Sequence, residues 1–389
     1  MMTKRPRVTR PGSLARSALS LQTALSGFVV KAALLPFKTR RAAAPVGPKA
    51  GKAGGGKRTM GSAIRQLRRA RSLVPLSTIR AGGGGGQKLP RIPTGATYLT
   101  RKYRSATGSR SYRLYLPASH PKRPKRPKRP KRPKRPKGLI LMLHGCNQTP
   151  DDFAIGTHMN DLAERHGLAL AYPAQTRRQN AAGCWNWFKP GNQMRGMGEP
   201  AILAALTRKL MREFGLGRDA VFVTGLSAGG AMAMILADVY PDVFTAAGAH
   251  SGLARGAAWD TLSAMSAMHN GGAPNGALVP VIPPARPVRR IIFQGAEDRT
   301  VNPLNAGFIV AAGMGGEITP CKEVRRAVRG RDYCRSSYAD PKGAVRIELW
   351  MIADTGHAWS GGRAAGSYTD PKGPDASAQM VRFFLDTPI

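Results

Sequence analysis

The stretch AVFVTGLSAGGAMAMILADVYPDVF (220–244) decides how this chain is read. An apolar run of strand length, AVFVT (220–224), leads into Gly225, Leu226, Ser227, Ala228 and Gly229. A helix-length run with Ala231, Met232, Met234 and Leu236 follows. G-x-S-x-G between a strand and a helix is the setting of a nucleophile elbow, a turn sharp enough to push the serine hydroxyl out of the sheet. Glycine belongs at 225 and 229 because a side chain at either place would collide with neighbouring backbone. The pentapeptide alone says little; the strand before it and the helix after it make the case.

Outward from this stretch, runs of buried-strand length recur: LILML (139–143), LALAY (168–172), RIIFQ (290–294) and VRIELWMI (345–352), with SYRLYLP (111–117) upstream. Helix-length segments at 201–215 and 228–240 lie between several of them. Strands alternating with helices predict an α/β domain, a mainly parallel central sheet with helices on both faces. The reading is one catalytic domain over 95–389.

A serine hydroxyl attacks only when a base takes its proton, and that base needs a carboxylate to orient it. After RIIFQ comes GAEDRTVNP, with Asp298 in a loop at a strand end; after VRIELWMI comes ADTGHAWSGG, with His357 in an equivalent loop. The order Ser227, Asp298, His357, each after its own strand, is the order of the α/β-hydrolase fold. Glu297 and Asp354 are alternative acids. His250, in AAGAHSGL, is an alternative base, but no acidic loop follows it before Asp298, and the reading favours a hydrogen-bonded structural histidine. An oxyanion needs two preorganised donors. The expected pair is the backbone amides of Ala228 and of Cys146 in HGCNQ, with His144 and Gly145 shaping that turn. No cofactor is required, and no metal-ligand spacing occurs among Cys and His.

Charge divides the chain. Residues 1–137 hold 36 Lys or Arg and no Asp or Glu, whereas 138–389 hold 25 basic and all 21 acidic residues. The excess therefore belongs largely to an arm, 1–94, whose Gly, Ala, Arg and Lys predict disorder. Within it, Leu14, Ala18, Leu21, Leu25, Phe28, Ala32 and Leu35 would line one face of an amphipathic helix at 14–35. Residues 121–137 read PKRPKRPKRPKRPKRPK, a polyproline II spacing that lengthens a surface loop or offers charged stripes to a polyanion or particle surface. No stretch reaches the roughly 20 apolar residues of a transmembrane span. The residues before Lys31 make a poor secretory signal. Oligomeric state is not legible.

Four cysteines allow three pairings. The favoured one joins Cys146 to Cys184 and Cys321 to Cys334, with four free thiols as the alternative. Paired cysteines favour an oxidising compartment. Trp185, Trp187 and Trp359 are candidate substrate contacts, with core packing as the competing role. The Gly- and Pro-rich stretch 255–290 is a candidate flap.

LMLHGCNQ, GCWNWF, VFVTGLSAGGAM, AAGAHSGL, IIFQGAEDRTVNP and GHAWSGG together resemble the polyhydroxybutyrate depolymerase family of esterases. The resemblance runs over about residues 95–389. It implies hydrolysis of poly(3-hydroxybutyrate) or related hydroxyalkanoate esters through Ser227, Asp298 and His357, in an extracellular or periplasmic setting. The other location considered is cytoplasmic, on polyester granules. Similar motifs occur in feruloyl and acetylxylan esterases, which keeps those substrates as an alternative. A reading of another class, a polyanion-binding protein with a secondary hydrolase domain, rests on the arm. The long basic arm and the Pro-Lys-Arg repeat depart from the family pattern.

Overall fold

The computed structural model describes residues 88–118, 135–275, 286–314 and 320–386. The amphipathic segment 14–35, all but the end of the arm, most of the repeat and the centre of the 255–290 stretch lie outside the described residues.

A ten-stranded sheet organises the fold. At its centre, β3 (Gly138–Leu143), β4 (Leu168–Pro173), β5 (Val221–Leu226), β6 (Ala246–His250), β7 (Arg289–Gly295) and β10 (Val345–Ile352) run parallel in the order β4-β3-β5-β6-β7-β10. Antiparallel hairpins extend both edges: β1 (Thr97–Ser105) with β2 (Gly108–Leu116) beside β4, and β8 (Pro320–Val328) with β9 (Arg331–Ala339) beside β10. A short parallel pair, β11 (Trp359–Ser360) and β12 (Thr369–Asp370), stands apart.

Every residue of β3 to β7 is buried, which explains why those strands read as unbroken apolar runs instead of alternating ones. Alternation survives in where side chains go. Leu139, Leu141 and Leu143 join the core under α3 (Gly198–Phe214), α4 (Ala228–Val239), α5 (Thr261–Asn270) and α6 (Leu304–Met314). Ile140 and Met142 join the opposite core under α1 (Pro150–Thr157), α2 (Met159–His166) and α7 (Ala376–Leu385). Each such side chain contributes about 1.5–3 kcal/mol by leaving water. The loop after β3 turns into α1 at Thr149, whose side chain accepts from the Asp152 amide, with Pro150 opening the helix.

The β8–β9 hairpin corrects one expectation. Its two-residue turn, Arg329-Gly330, has φ of 49° and 73°, the doubly left-handed backbone of a type I′ turn. The resulting register sets Cys334 opposite Arg325, four residues along the strand from Cys321. At about 3.4 Å per residue that offset is roughly twice the Cα separation a disulfide tolerates. Both thiols are free: Cys321 Sγ donates to the Ser337 carbonyl at 3.2 Å, and Cys334 Sγ to Glu323 Oε1 at 2.7 Å. Cys146 and Cys184, by contrast, are joined.

Candidate active site

The parallel strands β5, β6, β7 and β10 are consecutive in the sheet, so the loops at their C-terminal ends share one rim. Ser227 caps α4 immediately after β5, with φ 56° and ψ −122°, a backbone state that non-glycine residues seldom adopt. Its neighbours show what forces the turn. A Cβ on Gly225 would fall onto Gly229 and the Leu143 carbonyl, and one on Gly229 onto the carbonyls of Leu143 and His144. The helix start is thereby pressed against the end of β3. Ser227 N donates to the His250 carbonyl at 2.9 Å, fastening the elbow to the end of β6. Ser227 keeps 7% exposure.

Asp298 and His357 meet directly: His357 Nδ1 donates to Asp298 Oδ2 at 2.8 Å. Two backbone bonds between their loops arrange this, Ala296 N to Ile352 O (2.8 Å) and Glu297 N to Thr355 O (3.0 Å). Gly295 permits the crossing, since a Cβ there would run into the Thr355 and Gly356 carbonyls. Asp298 Oδ1 accepts from the amides of Thr300 and Val301, both at 2.9 Å, and Oδ2 also accepts from Gln294 Nε2 at 3.2 Å. Burial pushes the Asp298 carboxyl upward, but the His357 bond and charge, the Val301 amide and the adjacent Ser251 hydroxyl outweigh it and hold it below the usual range. Glu297 is exposed beside it and Asp354 is exposed in the β10 loop; neither makes the contact to His357.

His250 and His144 are of another kind. Each is fully buried and accepts a backbone amide at Nε2, from Ser360 at 3.0 Å and Gln175 at 3.1 Å respectively. That places their proton on Nδ1, toward Ser251 Oγ in one and the Gly145 carbonyl in the other. Burial lowers their pKa values to about 3 for His250, with the His357 charge adding to the effect, and about 4 for His144. His250 is stacked between Phe293 and Trp359 as a structural side chain.

In the loop after β3 the amide at the tip, that of Cys146, is uncommitted among the described residues. Gly145 N donates to Gln148 Oε1 (2.8 Å), Asn147 N to Ala182 O (2.8 Å) and Gln148 N to Gly145 O (3.3 Å). Cys146 N has no acceptor among the described residues, and Ala228 N, first in α4, has none within its helix. The Cys146–Cys184 bridge anchors this loop to the segment after β4. Beneath it lies Glu199, which sequence reasoning missed: buried, it accepts from Arg110 Nη2 (3.2 Å), Gln175 Nε2, Asn186 N (2.8 Å) and Asn186 Nδ2 (2.9 Å). Gln148, Gln294 and Ser251 were missed too. Gln148 stands inside the quoted HGCNQ motif, but nothing there announces its bond to Gly145.

The tryptophans are corrected. Trp185 is 0% and Trp359 1% exposed, with Trp187 at 4%. Trp185 Nε1 donates to the His144 carbonyl at 3.1 Å and Trp359 Nε1 to Ser377 Oγ at 3.0 Å, so both shape the rim from within and offer no face to a substrate.

The family model "Esterase PHB depolymerase" matches residues 128–309, a span that includes Ser227 and Asp298 and ends before His357. Poly(3-hydroxyalkanoate) depolymerase C of Paucimonas lemoignei is 30% identical over 236 residues, 56% of this chain and 54% of that protein. Feruloyl esterase B of Neurospora crassa is 32% identical over 117 residues, 30% of this chain and 39% of that one. The chain thus spans about half or less of the length of these curated relatives. Among solved structures, an acetyl xylan esterase from Aspergillus awamori superposes with a TM-score of 0.53 at 20% identity, covering 67% of this chain and 93% of that chain, which fixes the α/β-hydrolase fold. By its sequence match over residues 128–309 this chain is similar to PHB depolymerase-type esterases, and by its architecture it has the α/β-hydrolase fold.

Proposed function

We propose that this chain is a serine carboxylesterase in which Ser227 attacks, His357 is the base and Asp298 orients it. The observation that carries the reading is the 2.8 Å bond from His357 Nδ1 to Asp298, which fixes the tautomer and leaves Nε2 free to take a proton. In the first half-reaction Ser227 Oγ adds to the ester carbonyl as His357 Nε2 accepts its proton. The amides of Cys146 and Ala228 receive the oxyanion. Collapse expels the alcohol, which takes the proton from His357. Water then adds to the acyl-enzyme by the same route and releases the acid and Ser227. Asp298 stays ionised throughout, in keeping with its depressed pKa.

The favoured substrates are poly(3-hydroxybutyrate) or related hydroxyalkanoate esters, supported by the family match and the relative from Paucimonas lemoignei. A feruloyl- or acetylxylan-type substrate is the second reading, favoured by the relative from Neurospora crassa. The disulfide supports an extracellular or periplasmic location. No helix among the described residues is long and apolar enough to cross a membrane.

The test is hydrolysis of 3-hydroxybutyrate oligomers, p-nitrophenyl acyl esters and methyl ferulate by wild type, Ser227→Ala and Asp298→Asn. Ser227→Ala should lose activity by at least about 10³-fold and Asp298→Asn by about 10²–10⁴-fold in kcat, with folding intact. Full activity in Ser227→Ala would end the proposal. Serine-dependent cleavage of ferulate alone would move the chain to the second reading.

A further inference from the structure

We infer that Tyr368 forms the wall of the site beside His357 and selects esters by the aliphatic chain flanking the scissile bond, an inference that rests on the ester-hydrolysis reading above. Its ring stands edge-on to the His357 imidazole, with centroids 6.4 Å apart and planes at 78°. It is 43% exposed, whereas Trp185, Trp187 and Trp359 are buried. Tyr368 is therefore the aromatic in contact with His357 that an incoming molecule can touch.

Its backbone adds an independent argument. Tyr368 has φ of 52°, a conformation that bulky residues avoid and that persists only where the surroundings impose it. The surroundings here are explicit. Ser367 N donates to Asp152 Oδ1 at 2.9 Å and Ser367 Oγ to the same carboxylate. Trp359 N donates to the Tyr368 carbonyl at 2.7 Å, and Arg331 pairs with Asp370 at 3.1 Å. On the far side, Gln148 Nε2 donates to the Ser367 carbonyl at 3.1 Å while its Oε1 holds the Gly145 amide. The Tyr368 loop is thus tied both to the segment that follows His357 and to the loop that carries Cys146.

Among the described residues, no hydrogen bond holds the tyrosine side chain at this strained position. Its hydroxyl takes no partner among the described residues, and almost half of its surface faces solvent. An aromatic face held rigidly at the rim supplies apolar contact to a ligand with little rotamer entropy to lose. On this inference acyl groups longer than acetyl, such as the four-carbon unit of a hydroxybutyrate, reach the wall and acetyl does not.

The experiment measures kcat and KM separately for wild type, Tyr368→Phe, Tyr368→Ala and Tyr368→Gly on p-nitrophenyl acetate, p-nitrophenyl butyrate and a 3-hydroxybutyrate oligomer, together with Tm. The Ala and Gly variants should raise KM for butyrate and oligomer about 10-fold while acetate changes less than about 2-fold, and Phe should match wild type. Gly accommodates the left-handed backbone, so its Tm should equal or exceed that of Ala; the same loss of selectivity in both variants separates the missing ring from a disturbed fold. Parallel losses on all three esters, unchanged KM in the Ala variant, or a Phe variant that behaves like Ala would each overturn the inference. Folded wild type that cleaves no ester would overturn the ester reading itself, and this inference with it.

Discussion

The rim above β5, β6, β7 and β10 and the edge hairpin β8–β9 both gather cysteines and charges, and they handle them in opposite ways. At the rim, loops from distant parts of the chain converge: Cys146 meets Cys184, Asp298 meets His357, and Glu199 is enclosed by four donors. In the hairpin, partners are set by strand register alone, and eight of the nine residues of β8 are exposed. Cys321 and Cys334 share that ladder and still miss each other. Convergent loops can bring together any two residues, whereas a regular ladder fixes who can meet before side-chain chemistry has any say.

The largest expected effect separates buried from exposed titration. His144 and His250 have folded-state pKa values of about 4 and about 3, below the ordinary histidine value, so the unfolded chain binds these protons first. Stability contributed by their neutrality is complete above about pH 6.5 and declines as pH falls toward 4. Each histidine loses about 1.4 kcal/mol per pH unit inside that window. Urea titrations between pH 7 and 4.5 should show this decline, and His250→Gln should flatten it by about half. An unchanged slope in that variant would mean that His250 carries no such penalty.

Next comes the bridge. Cys184→Ser should lower stability by about 3–4 kcal/mol, the entropic effect of opening a loop closed across a separation of 38 residues. It should also lower kcat on any ester cleaved, because the Cys146 amide loses its anchor. A loss of stability without a loss of kcat would show that the loop keeps its shape unaided. The smallest effect belongs to the hairpin. Cys321→Ser should shift stability by no more than about 0.5 kcal/mol, and native-state alkylation should label the exposed Cys321 well before Cys334, whose thiol is buried and pushed up to about 11 by burial and by Glu323. Equal labelling would contradict the difference in burial.

The same contrast explains what could be read from the residues alone. The elbow was legible because everything that makes it, an apolar strand, two glycines and a helix, lies within 25 consecutive residues. Asp298 and His357 were legible because each directly follows a buried strand, and the parallel sheet brings such strand ends to one side. The cationic strands β1 and β8 were not assigned because their exposed residues interrupt the apolar runs that betrayed the central strands, and the largely covered β9 was missed because Arg331, Asp332, Arg335, Ser336 and Ser337 break its apolar run. Depth was illegible as well. Trp185 and Trp359 flank chemically interesting residues in sequence, yet their indoles are consumed by packing and by bonds to His144 and Ser377. Glu199 gave no signal because Arg110, Gln175 and Asn186 lie 89, 24 and 13 residues away.

The strand order has a consequence for biogenesis. β7 and β10 are neighbours in the sheet although the whole β8–β9 hairpin lies between them in the chain. On the ribosome, Ser227 and Asp298 emerge while the segment carrying His357 is still unmade. Their loops can be stitched together only once residue 352 has paired beside residue 295. On the proposed reading the Ser227 hydroxyl is thus delivered inert, and its activation is deferred until a pairing between strands 57 residues apart in the chain closes, late in folding by the same loop-closure entropy that slows all non-local sheets.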